Sequence, residues 1–176
     1  ISVKLKRSSE ALKYYNQVYL VFFKAYKQEL YLMDAIQRSD INAIEQNRSA
    51  LKSFADEGIE KLTNIRHYRG DYSVNKACQR ILSFYKEEAE DKIPIIADFL
   101  LVADNYKKMG TLMESKDRMQ VTQEEVKQYN KAVRDYKKGV NKFNSTNNLL
   151  NNKRNNALTR WNNAVNSFLA RHIPKK

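Results

Sequence analysis

Histidine and cysteine, the side chains that most often act as nucleophiles, bases or metal ligands, are scarce in this chain. It contains two histidines, His67 and His172, and one cysteine, Cys78. Neither histidine follows a glutamate at the Glu-x-x-His spacing of di-iron helical bundles, and His-Glu-x-x-His and paired-cysteine motifs are absent from the sequence. We therefore expect no metal and no cofactor, and a single cysteine permits no intrachain disulfide.

Motifs for phosphate binding or covalent catalysis are also missing. The four glycines lie too far apart to form a phosphate-binding loop or a nucleophile elbow. Four acids occupy neighbouring positions around one helical turn: Glu87, Glu88, Glu90 and Asp91. A solvent-facing acidic surface is the favoured interpretation, and a general acid/base pair is the alternative. The sequence thus predicts a protein that is not an enzyme.

The charge balance is the main chemical signal. The chain has 32 Lys and Arg against 20 Asp and Glu, a formal net charge of +12. Such an excess fits a polyanionic partner, namely nucleic acid, anionic lipid or an acidic glycan, but a lysine-rich solvated surface is the favoured explanation. Specific nucleic-acid readers carry a recognition helix, a zinc module or aromatic strands. Since none is evident, we expect no specific nucleic-acid binding, and non-specific association is the alternative function.

Few residues interrupt the chain, which has only four Gly and two Pro in 176 residues. This composition indicates a few long helices rather than many strands, and the length fits a single domain spanning residues 1–176. The longest apolar run, residues 93–103, contains a proline and an aspartate and is too short to cross a bilayer. We predict an all-α fold, a four-helix up-down-up-down bundle, with no transmembrane segment in this chain.

Stop signals divide the first two helices. Helix one is expected to start at a capping serine, Ser8 or Ser9, and to run to about Arg38, with an apolar face wide enough to need neighbours on two sides. Asp40 then caps helix two, which should end near residues 68–69, before a left-handed glycine at position 70.

Helix three contains a proline. Pro94 removes a backbone donor and clashes with the preceding turn, so we expect a kink or a short break there. Residues 107–119 are expected to form a linker, with Gly110 as a candidate terminator of helix three. Cys78 falls on the apolar face and should be a buried small side chain.

Helix four is expected to be long. Thr122 and Glu125 have the spacing of a capping box, and an apolar seam continues from Val126 towards His172. If unbroken, this helix is about 70 Å long at 1.5 Å per residue. Asparagines crowd residues 144–156, where one bent helix is favoured and a loop is the alternative.

Two polar residues, Asn147 and Arg154, fall in the predicted seam of helix four. With Asn151 and Trp161 they form a candidate partner or ligand surface, in which the tryptophan could stack on a sugar or peptide. The alternative is that these polar side chains fix the register of the helices by hydrogen bonding across the bundle.

Basic residues should gather at one end of the bundle. In an up-down-up-down arrangement, the start of helix one, the turn between helices two and three, and the end of helix four share that end. The resulting candidate basic pole comprises Lys4, Lys6, Arg7, Arg66, Arg69, Lys76, Arg171, Lys175 and Lys176. Only Glu10 and Asp71 oppose it, so we expect it to face an anionic membrane surface or an envelope polymer.

Several short strings resemble an uncharacterised family of exported bacterial surface proteins, helical bundles that are often predicted lipoproteins. The strings are Tyr15-Asn16, Tyr68-Arg69-Gly70-Asp71, Phe84-Tyr85-Lys86, Thr122 with Glu124-Glu125, Tyr129-Asn130-Lys131, Trp161-Asn162-Asn163, and Phe168-Leu169 before His172-Ile173-Pro174. The resemblance implies an extracytoplasmic location, periplasmic or on the cell surface, and it carries over no catalytic or binding residue.

The first residue is Ile rather than Met, so we expect that an N-terminal signal has been removed. The leading hypothesis is a non-enzymatic cell-envelope protein with a structural or binding role, partnered by an anionic surface or another envelope protein. The second hypothesis is a nucleic-acid-associated protein. The third, an enzyme with a cleft between helices, would need a pocket with convergent titratable groups.

Overall fold

The computed structural model describes residues 3–173, and these are almost entirely helical. The elements are α1 (Val3–Gln37), α2 (Ile41–Asn64), α3 (Ser73–Glu87), a π-helical turn (Glu88–Lys92), α4 (Ile93–Glu114), a 3-10 turn (Arg118–Gln120) and α5 (Gln123–His172). Residues 3–173 contain no strand, only an isolated bridge between Tyr68 and Asp71. The predicted all-α bundle is therefore confirmed.

Four helical rods build the fold, because α3, the π-helical turn and α4 follow one another without a break. Contacts between side chains show that each rod runs antiparallel to the next. Across α1 and α2, Lys24 pairs with Glu57 while Gln28 donates to Asn47. Rods two and three are also antiparallel, since Asn75 contacts Leu62 while Glu90 pairs with Lys52. The same holds for rods three and four, where Glu87 pairs with Lys153 while Tyr106 stacks on Tyr129.

The main core lies between α1, α2, α3, the start of α4 and the C-terminal half of α5. Trp161 of α5 stacks on Phe22 of α1 with 4.3 Å between ring centroids, and Phe168 lies 5.4 Å from Tyr14. Small residues of α1 and α2 are fully buried in the same core: Ala11, Ala25, Ala35 and Ala55. Small side chains let neighbouring helices approach closely around the large rings.

A two-helix arm extends beyond this core. It comprises residues 101–114 of α4 and 123–142 of α5, which lie past the last side chains packed on the core, Leu100 and Phe143. A ladder of aromatic rings holds the two helices together from the base outwards: Phe99, Phe143, Tyr136, Tyr106 and Tyr129. The arm arises because α5 has 50 residues whereas α2 has only 24.

Helix α1 departs from its prediction at its start. It begins at Val3, so neither Ser8 nor Ser9 is its cap; the Ser8 hydroxyl instead donates to the Lys4 carbonyl at 3.0 Å. The expectation of neighbours on two sides is confirmed, since α1 contacts α2 through Lys24 and Glu57 and contacts α5 through Phe22 and Trp161. One face is buried against the core, while Phe23 and Leu30 on the other remain exposed.

The connection between α2 and α3 is longer than predicted. Helix α2 starts with the expected cap, in which the Ala43 N–H donates to Asp40 at 3.0 Å, but it ends at Asn64. Arg69 and Gly70 then adopt φ values of 50° and 77°, and the Asp71 N–H donates to the Tyr68 carbonyl. The left-handed glycine thus belongs to a tight turn rather than to the helix end.

Pro94 is accommodated without a break in the rod. The preceding residues form the π-helical turn, in which the Ile93 N–H donates to the Glu88 carbonyl. Because proline has no N–H, the next carbonyl in this register, that of Ala89, would lack its helical donor. The Arg48 guanidinium of α2 donates to that carbonyl at 3.3 Å.

The predicted linker at residues 107–119 is wrong for its first eight positions. Helix α4 continues to Glu114, and Gly110 lies inside it with no positive φ. Tyr106 stacks on Tyr136 of α5 at 4.7 Å, and this packing stabilises the helix beyond the point where local signals favour a stop.

Helix α5 is continuous through residues 144–156, as favoured from its seam. The capping box is confirmed: the Thr122 N–H donates to Glu125 at 2.9 Å and the Glu125 N–H donates to the Thr122 hydroxyl at 3.2 Å. The asparagines do not interrupt the helix because Thr146 and Leu150 in the same stretch are buried against its neighbours.

Candidate functional site

A charged cluster is buried where α1, the π-helical turn and α5 meet. Arg154 donates from Nε to Glu29 and from Nη2 to Glu88. Its Nη1 donates to the Asn151 side chain at 2.8 Å. The arginine side chain is 14% exposed, and the two carboxylates are 1% and 0% exposed. One guanidinium thus ties three separate elements together inside the protein.

Two carboxyl groups share this single cation, so their protonation is coupled. Burial raises the pKa of Glu88 to about 8, against the attraction of Arg154 and with the help of the nearby Glu29. Burial also raises the pKa of Glu29, while Arg154 opposes the change. Near neutral pH, burial therefore favours the neutral, protonated form of Glu88 beside the Arg154 guanidinium.

The buried cluster was only half visible from the sequence. The predicted solvent-facing acidic surface is wrong for Glu88, because within the π-helical turn this side chain meets Arg154 inside the bundle. Its neighbours do face outward: Glu87 pairs with Lys153 at 2.6 Å, and Glu90 pairs with Lys52. Glu29 was missed, although its four-residue and three-residue spacing from the buried Ala25 and Leu32 places it on the core face of α1.

The candidate partner surface on α5 is not a single exposed patch. Trp161 is 3% exposed and stacks inside the core, and Arg154 is occupied by two glutamates. Asn147 is exposed because the neighbouring Thr146 takes the buried position, while Asn151 is exposed and accepts from Arg154. The alternative interpretation, in which polar seam residues bond across the bundle and fix the helix register, fits Arg154, whereas the bond between Arg154 and Asn151 lies within α5.

The three segments of the basic pole do meet at one end of the body. The Tyr68 hydroxyl donates to the Arg7 carbonyl at 2.9 Å, which joins the start of α1 to the turn before α3. Arg171 at the end of α5 donates to Asp71 of that turn at 2.8 Å. Lys175 and Lys176 lie outside the described residues. We call this region the basic end.

Acidic partners neutralise only part of the basic end. Arg171 and His172 both contact Asp71, so the Arg171 guanidinium already has an acidic partner. Burial alone would raise the pKa of the Asp71 carboxyl, but hydrogen bonds from Ser73, His172 and Arg171 hold it well below its usual range. Four exposed cations form no ion pair within residues 3–173: Lys6, Arg7, Arg66 and Arg69.

A groove of about 790 Å³ runs between α3 and α5 on the body. Ala77, Phe84 and Ala157 form its apolar floor. Four basic residues border it, two from each helix: Lys76, Arg80, Lys153 and Arg160. We call it the basic groove. Sequence reasoning placed Lys76 at the pole and did not single out Arg80 or Arg160, although Arg80 follows Lys76 by four residues on one helix face.

Side chains that could bind a metal ion do not form a cluster in the part of the chain that the structure describes. Within it, no group of three or more His, Cys, Asp and Glu side chains could hold a metal ion. Cys78 is buried, as predicted, with its sulfur 3.9 Å from the Val18 carbonyl, and burial raises the pKa of its thiol to about 12. In contrast to Cys78, His67 is exposed, and its ring forms a T-shaped contact with the Tyr72 ring.

No helix among residues 3–173 combines the length and the apolar character needed to cross a bilayer. The observed class of protein is an all-α bundle with a four-helix body and a two-helix arm. The chain matches no protein-family model, and neither curated proteins nor solved structures show significant similarity to it.

Proposed function

We propose that this is a non-enzymatic helical-bundle protein of the bacterial cell envelope, with a structural or binding role, whose basic end contacts an anionic surface. The observation that carries the proposal is the group of four cations at that end that form no ion pair with any residue the structure describes: Lys6, Arg7, Arg66 and Arg69. The envelope location is supported by the resemblance to exported surface proteins and is tested by fractionating cells that express the full-length gene product.

Electrostatics supports an anionic surface as the partner. A basic side chain near an anionic membrane contributes about 1 kcal/mol, and this contribution falls off within a Debye length. The four cations belong to two segments, the start of α1 and the α2–α3 connection, that the Tyr68–Arg7 hydrogen bond holds together. A shared end lets them approach one flat surface together, which scattered cations could not do.

Vesicle binding tests the proposal. The wild-type protein should co-sediment with vesicles containing phosphatidylglycerol, bind neutral phosphatidylcholine vesicles poorly, and dissociate at high salt. Replacing Lys6 and Arg66 by glutamate should weaken binding at least about tenfold, since each cation contributes about 1 kcal/mol.

A matched control is Lys137→Glu with Lys138→Glu, since these exposed residues of the arm give the same change in net charge. The control should bind vesicles within about twofold of wild type. Equal losses in both variants would reduce the effect to overall charge. Tighter binding of duplex DNA than of anionic vesicles would favour the nucleic-acid alternative instead.

A further inference from the structure

We propose that the basic groove binds an acidic amphipathic helix of a partner protein. This inference goes beyond membrane or polymer contact at the basic end. It concerns another face of the body and different residues, principally Arg80 of α3 and Arg160 of α5.

Basic residues without acidic partners distinguish this groove from the junctions that α2 forms with α1 and with the third rod. Lys24 pairs with Glu57 at 2.8 Å across α1 and α2. Lys52 and Lys86 pair with acids across α2 and the rod that begins with α3. In the basic groove only Lys153 is paired, with Glu87, while three cations have no ion pair within the described chain: Lys76, Arg80 and Arg160.

The spacing of the lining residues matches the repeat of a helix. On α3 the groove is lined by Lys76, Arg80, Ser83 and Glu87, which are four, three and four residues apart. These positions follow one face of α3 for about 16 Å at 1.5 Å per residue, or roughly three turns. A helix laid along the groove could therefore present a carboxylate to the basic border on successive turns.

The floor of the groove favours a protein helix over a nucleic acid or a lipid surface. Ala77 and Ala157 are small and Phe84 is apolar, so a backbone could approach closely and bury apolar side chains between the basic borders. A phosphate backbone offers charge without an apolar ridge, and a flat membrane cannot enter a recess between two helices. Arg80 and Arg160 also carry planar guanidinium groups, which can bind carboxylates in a bidentate manner.

A designed peptide provides the probe. A fluorescein-labelled amphipathic peptide of about 18 residues, long enough to form a helix, would carry glutamates along one face and Leu and Ala beside them. Its partner peptide would have every glutamate replaced by glutamine. We expect saturable binding of the acidic peptide in fluorescence anisotropy, at least about tenfold tighter than binding of the glutamine peptide.

Variants of the full chain locate the site. Arg80→Glu with Arg160→Glu should weaken binding of the acidic peptide at least about tenfold. Lys137→Glu with Lys138→Glu, which changes the net charge equally, should bind within about twofold of wild type. Arg80→Gln with Arg160→Gln serves as the milder variant if circular dichroism shows that the glutamate variant is misfolded, and it should also weaken binding.

Four results would overturn the inference: no saturable binding at low salt, equal affinity for both peptides, equal loss in the arm variant, or full affinity in the groove variants. Loss of DNA or vesicle binding in the groove variants, with peptide binding unchanged, would assign the groove to that other partner. The vesicle test at the basic end uses Lys6 and Arg66, so either proposal can fail while the other stands.

Discussion

Arg154 lies at the centre of the charged cluster that is buried in the body. It is surrounded by Glu29, Glu88, Asn151 and the Met33 sulfur, which lies 3.1 Å from Nη2. Replacing one partner of a buried ion pair commonly costs about 3–5 kcal/mol, whereas an apolar replacement of the whole group is often neutral. The cluster therefore contributes specificity of pairing between α1, the π-helical turn and α5 more clearly than it contributes net stability.

The raised pKa of Glu88 predicts an unusual dependence of stability on pH. The folded protein holds the Glu88 proton more tightly than the unfolded chain, in which this glutamate returns to its ordinary pKa of 4.5, against about 8 when folded. The free energy of unfolding should therefore fall as the pH rises from about 4.5 to about 8. Glu88→Gln, which stays neutral, should remove most of this fall.

Urea unfolding followed by circular dichroism at pH 5 and pH 8 measures this effect. Wild type should be less stable at pH 8 by a few kcal/mol, and Glu88→Gln should show a smaller difference between the two values. Asp71, whose folded pKa is lowered, contributes stability that is lost only at more acidic pH and does not interfere. Identical pH dependence in wild type and Glu88→Gln would contradict the assignment of the proton to Glu88.

Two helices of the arm each contain a glycine, and the two glycines have opposite effects on stability. Gly110 lies in α4 and Gly139 in α5, both within the two-helix arm. A Cβ added at Gly110 would meet nothing within 4 Å, whereas at Gly139 it would lie 2.9 Å from the Phe99 ring. The first glycine is only a cost in helix propensity, and the second allows α4 and α5 to approach closely.

Alanine substitutions at the two glycines should therefore differ in sign. Gly110→Ala should stabilise the protein by about 0.5–1 kcal/mol, the ordinary difference in helix propensity. Gly139→Ala should destabilise the arm, because the Phe99 ring must shift away from its contacts with Tyr136 and Phe143. Thermal unfolding and amide hydrogen exchange of the arm measure both effects, and stabilisation by Gly139→Ala would show that the ring moves freely.

At the scale of the whole molecule, the arm and the basic end lie at opposite ends. The third rod begins beside the basic end with α3 and ends in the arm with α4, and α5 returns along it. The main core includes no side chain from residues 101–142. The body therefore carries both proposed binding surfaces without any contribution from the arm.

Shortening the arm tests this separation. Replacing residues 104–139 by a short glycine-containing turn should leave a helical body that unfolds cooperatively, since the packing of Trp161, Phe22 and Phe168 is untouched. Its binding to anionic vesicles should match that of the full chain within about twofold. A body that is molten, or that no longer binds vesicles, would show that the arm contributes to the fold or to the basic end.

Local signals in the sequence were by themselves sufficient to predict most of the secondary structure. The few breakers, the Asp40 cap, the capping box at Thr122 and the long seam of α5 were all readable, because caps and apolar periodicity act within a few residues. The buried position of Cys78 and the meeting of three segments at the basic end also followed from pattern and helix order.

Only the tertiary structure decided which polar residues are buried and where the body ends. Glu88 turns inward because the rod adopts a π-helical turn before Pro94, stabilised by Arg48 from another helix, and no local pattern specifies that contact. Glu29 and Arg154 meet although they are separated by 125 positions in the chain. Burial of a charge depends on a distant partner, and the basic groove likewise exists only because α3 and α5 lie side by side.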